Sequence, residues 1–390
     1  MKRTGTLFYE NWLIRLIACA IILAAHSIVH AQPTDPLPPR MDALTETQWT
    51  KVDDGVDRGL AWLASQQQAD GSFPSRETGQ PAVTSLAIMA FISRGHSPGI
   101  GPYGSTLDKA IDFVLQQQRD DGLLYSAATD MPYQSLQGSH TGTYNHAIAG
   151  LMLGEVYGMS DAALARKLRP AIEKAIDFAR RLQHRPSPYP SDKYGWRYLK
   201  PLNRSNQGEA DLSVTGWFIM FYRSAKNAEF DVPQEYVDEA VQFVRACYVE
   251  NEGAFYYGPF SRDRRISRAT TGAGVLCLAI TGNHHDEIAD ATGRWLLEHS
   301  FDHYNSGQGS HDRYHYGAYY CSQAAFMLGG EYWRQFYPRL AETLTANQSP
   351  EGSWQPERAQ GDGSFGNSYT TALAILSLTP PYQLLPIYQR

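Results

Sequence analysis

Hydrophobic residues recur three and four positions apart in separated stretches of this chain, as in Leu60, Leu63 and Ala64 or Ile111, Val114 and Leu115. That is the helical period, with one apolar stripe per stretch, so each stretch predicts an amphipathic helix with a solvent side. Glycines close these stretches in Asp70-Gly71, Asp121-Gly122 and Glu351-Gly352. A residue without a side chain is the cheapest one for a reversing turn. After each turn and a loop comes a second stretch that is apolar on most faces and rich in small residues: 82–93, 142–157, 211–225, 270–281, 316–329 and 369–378. Helices of this kind must be buried nearly all round, so they form an inner layer against which the amphipathic helices lie.

The alternation is a repeat that drifts. Its first copy reads Gly59-Leu60-Ala61-Trp62-Leu63-Ala64-Ser65-Gln66-Gln67-Gln68, then Gly71-Ser72-Phe73; its second reads Lys109-Ala110-Ile111-Asp112-Phe113-Val114-Leu115, then Gln116-Gln117-Gln118 and Gly122. Weaker copies centre on Lys174 to Ala179 with Gln183 and Gly195-Trp196, on Glu239 to Val244 with Gly253-Ala254-Phe255, and on Arg294-Trp295-Leu296-Leu297. The last copy is clear again, with Leu344, Asn347-Gln348 and Gly352-Ser353-Trp354. Copies recur every fifty to sixty-five residues, roughly the length of a helix pair with its loops, and one pair alone would expose its apolar face. The first and last copies are the sharpest, whereas an open array carries atypical ends, so the expected architecture is all-α, an (α/α)6 toroid of six helix hairpins.

The phrase made of Ala61-Trp62-Leu63, Gln67 and Gly71-Ser72-Phe73, and of Gln348 with Gly352-Ser353-Trp354, resembles the glutamine-tryptophan (QW) repeat of squalene and hopene cyclases and the related repeats of protein prenyltransferase β subunits. The resemblance spans residues 52 to 380 and implies a terpenoid cyclase or prenyltransferase-like toroid around a cavity that receives an isoprenoid. Fold alone does not carry function. Class II cyclases use an Asp-x-Asp-Asp acid, which this sequence lacks; Asp211 in Glu209-Ala210-Asp211-Leu212-Ser213 is the one acid carried over, beside its reading as a helix N-cap. The Asp-x-Cys zinc pair of prenyltransferases is missing at Cys277 and Cys321, and the Gly-Cys-Gly-Glu-Gln stretch of thioester domains is absent. His311 and His315 stand four apart without an evident third ligand, and His284-His285-Asp286-Glu287 reads as a loop. No metal and no cofactor are expected.

The first turns of the inner helices supply the remaining candidates. His146 and His315, with Asp211, are the candidate proton-transfer residues. Tyr144, Thr215, Trp217, Arg268, Tyr316, Tyr319 and Tyr369 are the candidate ligand contacts, as aromatic faces and polar handles. Three readings stay open: a toroid binding, and transforming, an apolar isoprenoid-like molecule; a non-catalytic scaffold for another protein; and a polysaccharide-active α/α barrel recruiting Asp211, Glu209 and Asp302.

Composition narrows the setting. Hydrophobic residues make up 43% and charged residues 19%, with a net charge of −6 and no long basic block, which gives no electrostatic reason to expect nucleic acid. Lys2, Arg3 and Arg15 precede an apolar run from Leu16 to Val29 that ends in Val29-His30-Ala31. The run is short for a membrane span and suits a secretory signal cleaved after Ala31, so residues 1–31 are expected to direct export to the periplasm or beyond. Residues 32–50, with Pro33, Pro36, Pro38 and Pro39, read as a linker, and 51–390 as the toroid. After cleavage Cys247, Cys277 and Cys321 remain, without disulfide spacing, and the last two sit in apolar stretches as small core residues. The mature chain is expected to be soluble, with membrane association left open.

Overall fold

A computed structural model describes residues 41–126, 136–187, 193–200, 210–259, 265–283, 287–306, 312–357 and 361–388. Its helices alternate as the hydrophobic pattern requires. The amphipathic ones are α1 (Glu46–Gln66), α3 (Gly104–Gln116), α5 (Ala162–Gln183), α7 (Gln234–Ala246), α9 (Glu287–Glu298) and α11 (Gly330–Ala346). The apolar ones are α2 (Ala82–Ser93), α4 (Leu136–Tyr157), α6 (Leu212–Asn227), α8 (Arg268–Ile280), α10 (Tyr314–Leu328) and α12 (Asn367–Leu378). Among the described residues the only strands form a two-residue hairpin, Tyr248–Val249 with Ala254–Phe255.

The inner layer closes on itself. α2 packs on α4, α4 on α6, α6 on α8, α8 on α10, α10 on α12, and α12 back on α2. The fold is an (α/α)6 toroid. Every residue of α2 and of α8 is buried, whereas α5 buries one stripe, Leu168, Ala171, Ile172, Ala175, Ile176 and Ala179, at three- and four-residue spacing. Apolar burial of this kind contributes roughly 25 cal/mol per Å² removed from water, and closure means that no hairpin keeps an open apolar face. Small residues let the inner helices approach: a Cβ on Gly272 of α8 would stand 2.8 Å from the Cys321 backbone nitrogen of α10. Cys247, Cys277 and Cys321 are buried free thiols.

The repeated glutamines and glycines join neighbouring hairpins. Gln67 Nε2 donates to Gly71 O at 3.0 Å and to Thr106 O of α3 at 2.8 Å, and Gln118 does the same to Gly122 O and to Ala171 O of α5. Gln183 reaches Tyr236 O of α7, and Gln348 donates to Gly352 O and to Gly55 O of α1, both at 2.8 Å. This last pair of bonds ties the final hairpin to the first. Gly352 sits at φ +105 with Arg58 O only 2.5 Å from where a Cβ would be, a conformation and a clearance that only glycine meets.

The end of the ring at the C-termini of the inner helices is crossed by the terminal segment. Tyr382 OH donates to Asp53 at 2.5 Å, Asn227 Nδ2 donates to Pro386 O at 3.0 Å, and the Ile387 N–H donates to the buried Glu155 carboxyl at 3.1 Å.

Candidate functional site

At the opposite end, where the inner helices begin, lies a half-open cavity of about 510 Å³. Its apolar lining is Val83 and Leu86 of α2, Ile148 of α4 and Trp217 of α6, none more than 5% exposed. Above them stand Tyr144, Tyr316 and Tyr369 from the helices, and Tyr198, Tyr257 and Phe365 from the loops. Arg76, Arg265 and Arg313 complete the mouth with small polar groups such as Thr141, Ser213, Ser267 and Thr270.

The helical period selects which head-of-helix residues face this space. Successive residues turn about 100°, so positions four apart share a face and positions two apart oppose each other. Tyr144 with Ile148, and Ser213 with Trp217, line the cavity. His146 and Thr215, two residues after Tyr144 and Ser213, point away from it.

They meet the turns of the outer layer instead. Thr215 Oγ1 accepts the Trp196 N–H at 3.0 Å, as Thr84 accepts from Phe73, Thr271 from Phe255 and Thr371 from Trp354. His146 takes the same place in the second repeat: Nδ1 accepts the Leu124 N–H at 3.3 Å, and Nε2, as donor, faces Ala175 O at 3.1 Å. Packed among Phe178, Phe218 and Phe221, it is pushed down to about 3 by burial and stays neutral.

Asp211 is the N-cap of α6 and lies behind the wall, 1% exposed. Its Oδ1 accepts from the Val214 N–H at 2.9 Å and the Ser213 hydroxyl at 2.7 Å, while Oδ2 accepts from Tyr257 OH at 2.9 Å and is ion-paired with Arg197. Ser213 in turn contacts Tyr144 OH at 2.6 Å, and Tyr198 OH meets Tyr257 OH at 3.1 Å, so the pair connects to the cavity through hydroxyls. Burial, first of all, holds the Tyr144 and Tyr257 hydroxyls well above their ordinary range and keeps them protonated.

The remaining candidates divide. Trp217 donates from Nε1 to Tyr316 OH at 2.9 Å, and Tyr319 stacks behind Trp217 at 5.3 Å without reaching the cavity. Arg268 is sealed in an ion pair with Asp312, Nη2 to Oδ2 2.6 Å and both 1% exposed, where it staples α8 to the loop before α10. His315 is buried beside Glu357, whose Oε1 accepts the His315 N–H at 2.9 Å; burial lowers its ionisation, and it does not line the cavity. Asp302 pairs with Arg339 of α11, on the outer layer. Glu209, His311, His284, His285 and Asp286 lie outside the described residues. Among the described residues no group of three or more His, Cys, Asp or Glu side chains is gathered as a metal site.

Tyr198, Tyr257, Phe365 and the three arginines were not among the sequence candidates. They lie in loops between an outer turn and the next inner helix, where periodicity gives no signal. The connection itself was the available clue, since it has to cross the mouth.

No protein-family model matches the chain, and no curated protein matches it in sequence. Solved structures do match its shape. The type II terpene cyclase MstE from Scytonema, in complex with geranylgeranyl dihydroxybenzoate, aligns over 88% of this chain and all of its own, at 16% identity and a TM-score of 0.57. The alpha-1,6-mannanase GH76A of Salegentibacter, in complex with alpha-1,6-mannotriose, aligns over 85% of this chain and 99% of its own, at 11% identity and a TM-score of 0.60. A glycosidase aligns over 88% and 100%, at 13% identity and a TM-score of 0.56. By fold, therefore, this chain is an α/α toroid of the type shared by terpenoid cyclases and GH76 mannanases.

Proposed function

We propose that this toroid binds an apolar, isoprenoid-like small molecule in its central cavity. The observation that carries the reading is that the aromatic residues Tyr144, Tyr316, Tyr369 and Phe365 line the cavity together with the apolar Val83, Leu86, Ile148 and Trp217. A volume of about 510 Å³ falls within the usual ligand-site range of about 300–1,000 Å³. Fold likeness supports an isoprenoid and a polysaccharide ligand equally. What favours the first is the wall: among the described lining residues there is no carboxylate, whereas glycoside hydrolysis needs two across the bond. The same lining offers no acid strong enough for an alkene, since Asp211 accepts donors on both oxygens, so binding and not protonation is the proposed role. Export by residues 1–31 belongs to the same proposal. Among the described residues no helix is long and apolar enough to cross a membrane.

Thermal stabilisation of the purified protein by geranylgeraniol or squalene tests the reading. Saturation at a hundred times Kd raises unfolding free energy by about 2.7 kcal/mol. Absence of any shift with both compounds, together with no turnover, rejects it in favour of the scaffold reading.

A further inference from the structure

We infer that the cavity's ligand carries a hydrogen-bond donor, a hydroxyl at the end of its apolar body, and that the phenol oxygen of Tyr144 accepts it. This rests on the apolar-ligand reading above and adds the chemistry of the ligand's polar end. The proton positions follow from Asp211. Ion-paired with Arg197, its carboxylate can only accept, and its oxygens lie 2.7 Å from Ser213 Oγ and 2.9 Å from Tyr257 OH. A hydroxyl has one proton, so those of Ser213 and Tyr257 both point at Asp211. Tyr144 OH stands 2.6 Å from Ser213 Oγ, whose proton is already committed, so the proton in this bond is that of Tyr144. By the same count Tyr198 donates to Tyr257 across 3.1 Å, where Arg197 Nη1 also donates at 3.0 Å.

Tyr144 and Ser213 from the heads of α4 and α6, and Tyr198 and Tyr257 from loops, all line the cavity. One buried carboxylate thus sets the direction of the whole chain of hydroxyls: their protons run into the protein, and the oxygens of Tyr144 and Tyr198 offer lone pairs to the space they line. Burial keeps Tyr144 protonated at neutral pH, so the direction holds. The neighbouring donors on this side are spent as well. Trp217 Nε1 donates to Tyr316 OH at 2.9 Å, and Asn145 Nδ2 donates to Thr78 O and Thr141 O, both at 2.9 Å. Asp211 and Arg197 cancel each other's charge, so the group that fits is a neutral hydroxyl and not an ammonium. An aldehyde or an ether would set lone pair against lone pair at Tyr144 and leave both unpaired. A site built around one hydrogen bond rejects the analogue that cannot make it.

Three ligands with one tail test the donor: geranylgeraniol, geranylgeranial and geranylgeranyl methyl ether, titrated calorimetrically into the full-length protein. The alcohol should bind about tenfold or more tightly than either acceptor-only analogue. Tyr144→Phe should close that gap by weakening the alcohol alone. Ser213→Ala, which frees the Tyr144 proton, should bring the aldehyde level with the alcohol or ahead of it, with melting temperatures confirming that both variants fold. Equal binding of the three compounds by the unaltered protein, or a gap that survives Tyr144→Phe, overturns the inference. If no isoprenoid binds, the isoprenoid reading fails; the preference for a donor is then decided by dodecanol against dodecanal, where equal or absent binding overturns it.

Discussion

Asp211 carries four donors on its two oxygens and caps α6, so its removal is expected to be felt as lost stability before lost binding. Asp211→Asn keeps the cap but leaves Arg197, with 14% of its side chain exposed, without its counter-ion. Breaking a buried pair by deleting one partner costs about 3–5 kcal/mol. Urea unfolding should show a loss near the lower figure while ligand affinity changes little; a catalytic acid would show the reverse, lost turnover at unchanged stability. His146 makes a second test at this scale. Since threonine fills its place in four other repeats, His146→Thr should retain more stability than His146→Ala. The alanine variant leaves the Leu124 N–H buried without an acceptor, at about 1–3 kcal/mol. These residues show where sequence reading reached and where it stopped. Polar and aromatic residues at helix heads were identifiable, but Tyr144 and His146 differ only by rotation around one axis, and that phase was not read. Aligning the repeats would have set His146 beside Thr84, Thr215 and Thr371 and removed it from the catalytic candidates.

At the scale of elements, the hairpins are joined by one device used repeatedly, a glutamine bonded to its own turn and to the next outer helix. Its use at Gln348 joins the two ends of the chain's fold. Gln348→Ala should cost about 1–3 kcal/mol, because Gly55 O and Gly352 O lose a shared donor in a half-buried seam. Gly352→Ala should cost more. It combines a positive φ with a Cβ driven to 2.5 Å from Arg58 O, and left-handed strain alone amounts to about 1–3 kcal/mol. Denaturant midpoints of the two variants check both the order and the size. Helix existence and type were legible in the pattern, with α2 at its expected bounds and α4 starting at Leu136 instead of residue 142. The earlier start is polar, Leu136-Gln137-Gly138-Ser139-His140-Thr141, and propensity alone gives no reason to extend a helix there. Contacts made at the cavity mouth, such as Ser139 Oγ accepting the Lys200 N–H at 2.6 Å, supply it.

At the scale of the whole toroid, the C-terminal segment crosses the ends of the inner helices, and Glu155 lies where that segment meets them. Burial raises its carboxyl from 4.5 to about 7, opposed by the Ser224 hydroxyl at 2.6 Å and the Ile387 N–H. The folded state thus keeps a proton that the unfolded chain releases at lower pH. This stability is present in full below about pH 4.5 and is lost as pH rises through 7, a change of about 3 kcal/mol over that window. Unfolding measured from pH 5 to pH 8 should show the decline, and Glu155→Gln, which keeps a hydrogen-bonding side chain in place, should flatten it and gain stability at the alkaline end. A decline of equal slope in the variant would assign it to other groups. Export is tested at this scale too, by the N-terminal residue of the protein recovered outside the cytoplasm, expected to be Gln32.

The amino-acid sequence by itself determined the class, the helix-pair repeat and its closure, because these follow from periodicity, from glycines placed where no side chain fits, and from the need of each hairpin to bury an apolar face. It also placed Tyr144, Trp217, Tyr316 and Tyr369 among the residues of one cavity. Tertiary structure decided the rest: which side of each inner helix faces inward, which acids are consumed by buried ion pairs, and that Arg76, Arg265 and Arg313 meet at one mouth. The physical reason is that periodicity is a local property, carried by neighbours along the chain. A site is a convergence of loops, and it exists only when distant segments are brought together and their charges are counted in the same space.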